Sequence, residues 1–446
     1  MALDPPLFQT PMLVIEAPNK AEFGTVLQTW TECSYEKDLF TPSDTFSFKL
    51  AITGTSGPNA PTEDYIRQMM ALTVPDTVVK VVVGTDTLMT GIIGTQRISG
   101  DKTGEYVEVS GRDPASLLTD NEVDPKLKIT RNTTLPDLAD QILQRYRGKG
   151  IPLRVFSDDR TNRSIITGLV RKPSLKKEYV STSAGTIRVN YDRATSKAAL
   201  ADQVLGVKLA GQPADTAPEF FEKVSIADAR PHPGETEWDF LDRHAKNLGV
   251  LPVMSADGDL IFLRPDYNQP TMFTLRRRIG AATAQSNNIL SGGRELNYEN
   301  TATAMHVLGR GSLYRSDRGT RKRRRSSKKK PKIQNKAVTA LPFTWQRERY
   351  IRDSSPTSNA DAGRVAAREL AHRNSNAERY TYDLPGLGQN GIRFSYDVLA
   401  QVIDDLVRPS VNKTCYITKY AVRFSLGKDR AISTSITLVP KGAIIL

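Results

Sequence analysis

The sequence is poor in the residues that most often carry chemistry. Its 446 residues include two cysteines, Cys33 and Cys415, and four histidines, with aromatics at 7%. Two cysteines cannot build a disulfide framework. One bridge would form only if the fold brought the two ends of the chain together, and two reduced, buried thiols are expected. No apolar run reaches the ~18 residues a membrane helix needs. The start, Met1-Ala-Leu-Asp-Pro-Pro, has neither a basic n-region nor an apolar h-region. No secretory signal is therefore expected, and folding in a cytoplasm is. The histidines, His232, His244, His306 and His372, form no pair at metal-ligand spacing, so surface or packing roles are expected and no metal or cofactor is. No Gly-x-Ser-x-Gly and no cysteine in a recognisable context marks a nucleophile.

Other apparent sites read as structure. Asp239 and Asp242 share a helix face and Asp404-Asp405 is a doublet. A glycosidase needs two carboxylates across a cleft, whereas solvated helix ends and turns account for these. Gly386-Leu-Gly388-Gln-Asn-Gly391 matches G-x-G-x-x-G. A strand, Tyr380 to Leu384, precedes it, but Ile392-Arg-Phe-Ser-Tyr reads as another strand. Without a following helix there is no dipole for a pyrophosphate, and a glycine-rich turn between strands is expected.

What is present is strand pattern and basic charge. Phe46, Phe48, Leu50 and Ile52 alternate with polar or small residues, and Val78–Val83, Leu88–Ile93 and Tyr106–Val109 follow. Four short strands in this block predict a small antiparallel barrel or sandwich. At the other end, Tyr416, Thr418, Tyr420, Val422 and Phe424 predict one face of a strand. Gly427-Lys428-Asp429 predicts the turn, and Ile432, Thr434, Ile436 and Leu438 the returning strand. The middle is mixed. Thr134 caps a helix striped by Leu135, Leu138, Ala139, Ile142 and Tyr146. Thr236 caps a second, striped by Trp238, Leu241, Ala245 and Leu248 and stopped by Gly249. Val250–Ser255, the Asp257-Gly258 turn and Leu260–Leu263 predict a hairpin. Asp361–Arg373 predicts a third helix.

The net charge is +13, from 62 Lys and Arg against 49 Asp and Glu. Between Arg310 and Lys332 stand 12 Lys or Arg and one acid, Asp317, so +11 of the charge lies in these 23 residues. The candidate electrostatic docking residues are Arg321, Lys322, Arg323, Arg324, Arg325, Lys328, Lys329, Lys330 and Lys332. Such a run meets phosphate backbones, anionic headgroups or acidic proteins, or is a solvated loop. Only Tyr314 stands nearby as an aromatic for base stacking.

Several blocks together resemble the baseplate hub proteins of contractile-tailed phages, especially the Mu-like group. They are Tyr106-Val-Glu-Val-Ser-Gly-Arg-Asp-Pro-Ala-Ser-Leu-Leu, the capped helix from Thr134, and Gly234-Glu-Thr-Glu-Trp-Asp-Phe-Leu-Asp-Arg-His-Ala-Lys-Asn-Leu-Gly-Val with Ala256-Asp-Gly-Asp-Leu-Ile-Phe. Ala366-Ala-Arg-Glu-Leu-Ala-His-Arg, the Pro385-Gly386 turn and the closing hairpin complete the set. Residues 172–225, the basic loop 310–335 and Phe394-Ser-Tyr depart from the family pattern. The resemblance implies an α+β, mostly β fold. It has two tail-tube-like antiparallel β-barrel domains, 1–118 and 286–446, the second bearing the basic loop. Two small α+β domains, 119–230 and 231–285, lie between them. It also implies a non-enzymatic homotrimer that adapts a sixfold tail tube to a threefold spike and continues the DNA channel. The implied partners are the tube or a tube-initiating ring, the central spike, wedge or peripheral proteins and passing DNA, with no stable membrane insertion. The place implied is the virion baseplate, after assembly in the host cytoplasm. Two alternatives stay open: a nucleic-acid-binding protein using 321–332, and a tail-associated peptidoglycan hydrolase.

Overall fold

The computed structural model describes residues 11–15, 25–27, 30–51, 67, 70–84, 86–101, 104–130, 132–147, 153–157, 178–182, 185–189, 230–280, 287–299, 301–309, 333–338, 345–353, 359–375, 377–425 and 431–444. The N-terminal block holds β1 (Pro11–Ile15), β2 (Thr25–Leu27), β3 (Glu32–Asp38), β4 (Thr45–Ala51), β5 (Val78–Val83), β6 (Asp86–Asp101) and β7 (Gly104–Arg112). The middle holds α1 (Ala115–Asp120), α2 (Leu135–Leu143), β8 (Val155–Phe156), β9 (Glu178–Thr182), β10 (Gly185–Val189), α3 (Glu237–Asn247), β11 (Leu251–Met254), β12 (Leu260–Leu263) and β13 (Thr271–Arg277). The last part holds β14 (Ser291–Leu296), β15 (Ala304–Gly309), β16 (Ile333–Val338), β17 (Glu348–Asp353), α4 (Asn359–Asn374) and β18 (Glu378–Pro385). It closes with β19 (Gly388–Gln389), β20 (Ile392–Arg393), β21 (Leu399–Asp404), β22 (Val411–Ser425) and β23 (Ala431–Pro440). The fold is mostly β, as the strand patterns predict.

The two β blocks are hydrogen-bonded to each other. One sheet of 13 strands runs β14-β18-β23-β22-β3-β4-β7-β6-β5-β1-β2, with β21 and β13 branching from β22. The join is β22 on β3, antiparallel from Lys419↔Asp38 to Ser425↔Glu32. The first half of β22 pairs instead with β21, from Val411↔Asp404 to Tyr416↔Leu399. One strand of 15 residues thus serves two neighbours in turn along one edge, with β23 along the other.

The hand-over point is a bulge. The β22–β23 register shifts between Ile417 and Lys419, and the Thr418 carbonyl accepts from Leu39 N–H at 2.9 Å. An extra residue inverts the inside–outside alternation beyond it. Cys415 and Ile417 before the bulge, and Tyr420, Val422 and Phe424 after it, all enter the main core. This corrects the expectation of one face for Tyr416 through Phe424. Tyr416 points the other way, into a second core with Leu39, Leu251, Val253, Leu263, Leu399 and Val439. The main core draws on both blocks, from Phe46, Phe48 and Val109 to Tyr380, Tyr382 and Ile436. Cys33 and Cys415 are both buried and unbridged.

The middle follows its capping signals. Thr134 Oγ accepts from Asp137 N–H at 3.3 Å and the Asp137 carboxylate accepts from Thr134 N–H at 3.1 Å, a reciprocal capping box. The helix ends at Leu143, earlier than the stripe predicts, and Tyr146 reaches the same core from the turn that follows. Thr236 caps α3 through Asp239 N–H at 3.1 Å, and Gly249 ends it at φ +70°. β11 and β12 form the hairpin around Gly258, at φ +85°. Residues 310–332, and with them the whole basic run, lie outside the described residues, as do Ile52 and the predicted 427–429 turn. Among the described residues no helix is long and apolar enough to cross a membrane.

Candidate assembly surface

The face of the joined sheet opposite the main core is built from small hydroxyl residues and paired charges. Strand register places them in rows across five strands. Arg423 of β22 stands beside Ser34, Ser34 beside Ser47, Ser47 beside Ser110, and Ser110 beside Thr95. The adjacent row is Ser425, Glu32, Lys49, Glu108 and Arg97, with charges alternating in sign from strand to strand. Opposite charges on directly facing strand positions stabilise the pairing. Ser47 Oγ–H donates to Glu108 at 3.4 Å, and the Lys49 ammonium lies 4.4 Å above the Tyr106 ring. On the other side of the hydroxyl row, Glu36 meets Lys419, and Arg112 pairs with Asp120 of α1. Because the hydroxyl row is short-chained, the face is hollowed into an open groove of about 460 Å³, bordered by Ser34, Ser47, Ser110, Thr95, Arg112 and Arg423.

Beneath this face, where β3, β4 and α1 converge, lies a buried polar cluster. Lys37 Nζ stands 3.7 Å from Asp44 Oδ2, with both side chains almost fully enclosed. Asp44 Oδ1 accepts from Asp38 N–H at 3.0 Å. Asp113 Oδ1 accepts from Ser43 Oγ–H at 2.8 Å and from Ala115 N–H at 3.1 Å. Burial pushes Asp113 up to about 8, with the Asp44 charge adding to it. Burial also raises Asp44, against the pull of Lys37. Tyr396 and Tyr420 face the pair from the C-terminal block, and Asp38 from β3.

These shifts set a pH dependence. An ordinary Asp loses its proton near 3.9, so between about pH 4 and 8 the folded chain holds a proton at Asp113 that the unfolded chain has released. Stability from this site is full below about pH 4 and is lost as pH rises through 8. Asp113→Asn keeps an acceptor oxygen for Ser43 and Ala115 and cannot ionise. Urea midpoints measured from pH 5 to 9 are expected to fall up to about pH 8 and then level in the unaltered chain, and to fall less steeply in the variant, where Asp44 and Glu237 still titrate. Parallel curves would exclude Asp113 as the source.

A third buried carboxylate ties the helices together. Glu237 accepts from Tyr146 O–H at 2.7 Å and pairs with Arg145 at 2.8 Å. Burial pushes it up to about 7 against both partners. Asp404, predicted to be solvated, is instead fully buried and held by Arg277. Asp239 is exposed and Asp242 pairs with Lys246, as helix-surface acids do. His244 is buried against Phe240, while His306 is stacked on Tyr350 with its Nε2 3.4 Å from Glu348. His232 is exposed in the turn before α3, and His372 lies in the last turn of α4. The Gly386–Gly391 motif is a tight turn: β19 and β20 pair across Asn390 and Gly391, at φ +54° and +76°. No helix follows it, and the strand predicted after it ends at Arg393. Among the described residues no group of three or more His, Cys, Asp or Glu is placed to hold a metal ion.

Sequence reasoning missed β3, the strand that makes the join. Its signal was present: Cys33 and Tyr35 alternate with Glu32, Ser34 and Glu36, but the third inward position is Lys37, which hides the period.

Comparison with known proteins bears on this architecture. Residues 23–113 match the family model of the Mu phage baseplate assembly protein GpP-like, N-terminal. No curated protein matches the chain. Two solved structures share its fold over nearly its whole length. The tail protein from Neisseria meningitidis MC58 is 18% identical, with a TM-score of 0.62 and coverage of 97% of both chains. The prophage MuSo2 43 kDa tail protein from Shewanella oneidensis is 15% identical, with a TM-score of 0.62 and coverage of 97% of this chain and 99% of that one. In its first β block the chain is thus similar to the GpP-like baseplate assembly proteins of Mu phage, and along its length it has the fold of these two tail proteins.

Proposed function

We propose that the chain is a structural hub of a contractile-tail phage baseplate. Three copies form a ring that adapts the sixfold tail tube to the threefold spike and continues the DNA channel. The observation that carries this reading is the β3–β22 join. It sets two β blocks side by side in one sheet, so three copies supply six blocks around an axis, and closed rings present equivalent surfaces to each partner. The hydroxyl row and its alternating charges support a channel wall. Phosphate backbones bind where cations accumulate, and a face on which Glu32, Lys49, Glu108 and Arg97 alternate offers no such accumulation. The match of residues 23–113 to a baseplate family and the tail-protein fold support the same reading.

The role is structural, in the virion baseplate, after assembly in the host cytoplasm. The partners are the tube or its initiating ring, the spike, and wedge or peripheral proteins, with DNA in passage and no stable membrane insertion. The run Arg321 to Lys332 is a docking element at the ring periphery, since a cationic collar in the lumen would retard DNA. Averaged images of the assembled particle along its axis are expected to show three copies around an open channel. A single copy, or a ring whose lumen is faced by the helices, would overturn the proposal.

A further inference from the structure

The two β blocks repeat one strand plan. In the first, β3 to β7 stand in the order β3-β4-β7-β6-β5; in the second, β14, β18, β21, β22 and β23 stand as β14-β18-β23-β22-β21. Counted along the chain, both orders are first, second, fifth, fourth, third. The fourth strand is the longest in each block, 16 residues in β6 and 15 in β22. Both are bulged, β6 between Ile93 and Thr95 and β22 between Ile417 and Lys419. Just before the bulge, Ile93 N–H donates to the Thr77 carbonyl and the Ile93 carbonyl accepts from Asp76 N–H. Ile417 does the same with Val398 and Asp397. Asp76 and Asp397 share a left-handed φ, +67° and +61°, uncommon outside glycine.

Register carries the correspondence across the sheet. Ile93 faces Gly111, which faces Phe46, which faces Tyr35. Ile417 faces Leu438, which faces Tyr380, which faces Arg294. So β6 stands in its block where β22 stands in the other, and β14 stands where β3 does. Beyond its bulge β22 pairs with β3. Beyond its own bulge β6 pairs with β7 on one side, β5 having ended at Ile92, and no described strand pairs with its other edge. β14 pairs with β18 and likewise has no described strand on its other edge. The two open edges are the two halves of a second β3–β22 join, and they lie at opposite ends of the eight-strand run from β14 to β6.

We infer that β6 of one copy pairs antiparallel with β14 of the next copy of this chain, repeating between copies the join made within each. The inference rests on the hub reading and names the contact by which its copies meet. The β3–β22 register transfers directly: Thr95 faces Asn297 of the next copy, Arg97 faces Glu295, Ile98 faces Arg294, Ser99 faces Gly293 and Asp101 faces Ser291. Opposite charges then meet at Arg97 and Glu295, both exposed in the single chain. The alternating row Glu32, Lys49, Glu108, Arg97 runs on into Glu295 and Arg379, themselves facing neighbours. Ile98 and Leu296 are 53% and 47% exposed. They occupy the inward positions that Val422 and Lys37 hold in the internal join, and the pairing sets them diagonally on one face. Each copy offers one edge of each kind, so the contact is head-to-tail and can close a ring.

Two measurements test this. Ser99 and Gly293 would form a non-hydrogen-bonded pair, with Cα atoms about 4.5 Å apart, within disulfide reach. A Cβ at Gly293 meets nothing within 4 Å. Assembled particles carrying Ser99→Cys with Gly293→Cys, once oxidised, are expected to release a species of three disulfide-linked chains on a non-reducing denaturing gel. Either substitution alone should release single chains, and Ser99→Cys with Ser291→Cys at least tenfold less of the linked species. A three-copy ring without the cross-link, or with equal yield from the shifted pair, would overturn the inference and leave the hub reading standing. Absence of a three-copy ring would overturn the hub reading. The second measurement needs no substitution. In the assembled particle the Ile98 and Arg294 amides are expected to exchange with solvent as slowly as those of Val422 and Tyr35, their counterparts in the internal join. Exchange more than tenfold faster would overturn the inference.

Discussion

Asp404→Ala is expected to cost about 3–5 kcal/mol, the penalty for breaking a buried ion pair from one side. Asp404 is 0% exposed. It accepts from Arg277 Nε at 3.0 Å and Nη2 at 2.6 Å, and from Leu406 N–H at 3.0 Å. Arg277 also donates to the Gly292 carbonyl at 3.1 Å, so one guanidinium binds β13, β21 and β14 together. Burial pushes Asp404 up, but the Arg277 hydrogen bonds and charge outweigh it and hold the carboxyl below its usual range. The pair is therefore ionised at neutral pH and weakens as pH falls through that lowered value. Alanine leaves the Arg277 charge largely enclosed with no counter-ion. Urea unfolding at pH 7 measures the loss. Replacing both partners by apolar residues is expected to cost less than Asp404→Ala alone, since no stranded charge remains. A loss below about 1 kcal/mol for Asp404→Ala would place this pair with exposed salt bridges.

Gly111→Ala is expected to destabilise by about 3 kcal/mol, near the top of the range for overpacking a filled core. A Cβ there would stand 2.1 Å from the Ile92 carbonyl oxygen and 2.6 Å from the Phe46 ring. The Phe46 ring is itself buried in the main core, and the carbonyl belongs to the backbone of β6 and moves only if β6 and β7 part. Gly94 is the internal control. It sits at the β6 bulge beside the same groove, and a Cβ there would meet nothing within 4 Å. Gly94→Ala is expected to fall within about 0.5 kcal/mol of the unaltered chain. Thermal unfolding of the two variants side by side gives the answer, and equal midpoints would refute the packing argument. Amide exchange along β7 is expected to quicken only in Gly111→Ala.

These two sites show where the sequence was legible. Local signals were read correctly because their causes are local. Thr134 and Asp137 need only each other to cap a helix, Asp257-Gly258 needs only its own backbone to turn, and the Gly386–Gly391 stretch shows its turn without a partner. The alternation in Tyr420, Val422 and Phe424 revealed a strand but not the bulge at Thr418. A bulge is set by what β22 pairs with on either side, β21 before it and β3 after it. Asp404 read as a solvated turn residue because its partner lies 127 positions away. The hydroxyl row was spread through four separated stretches, as Ser34, Ser47, Thr95 and Ser110, each an unremarked outward position until register aligned them. The basic run was plain in the sequence, and the sheet at its ends, with Tyr350 stacked on His306, was not.

The join between β3 and β22 also has a timetable. Lys419 and Glu36 meet across 383 positions of chain. At about 5–20 residues per second, roughly 20–80 s of synthesis separate the two strands. Throughout that interval β3 can pair with β4 but has nothing on its other side. An open strand edge invites pairing with the wrong chain, and charged side chains are the common defence. β3 is Glu-Cys-Ser-Tyr-Glu-Lys-Asp, four charges in seven residues. Glu36 and Asp38, which later meet Lys419, are already present while the nascent strand waits, so the residues that finish the join also guard the gap before it closes.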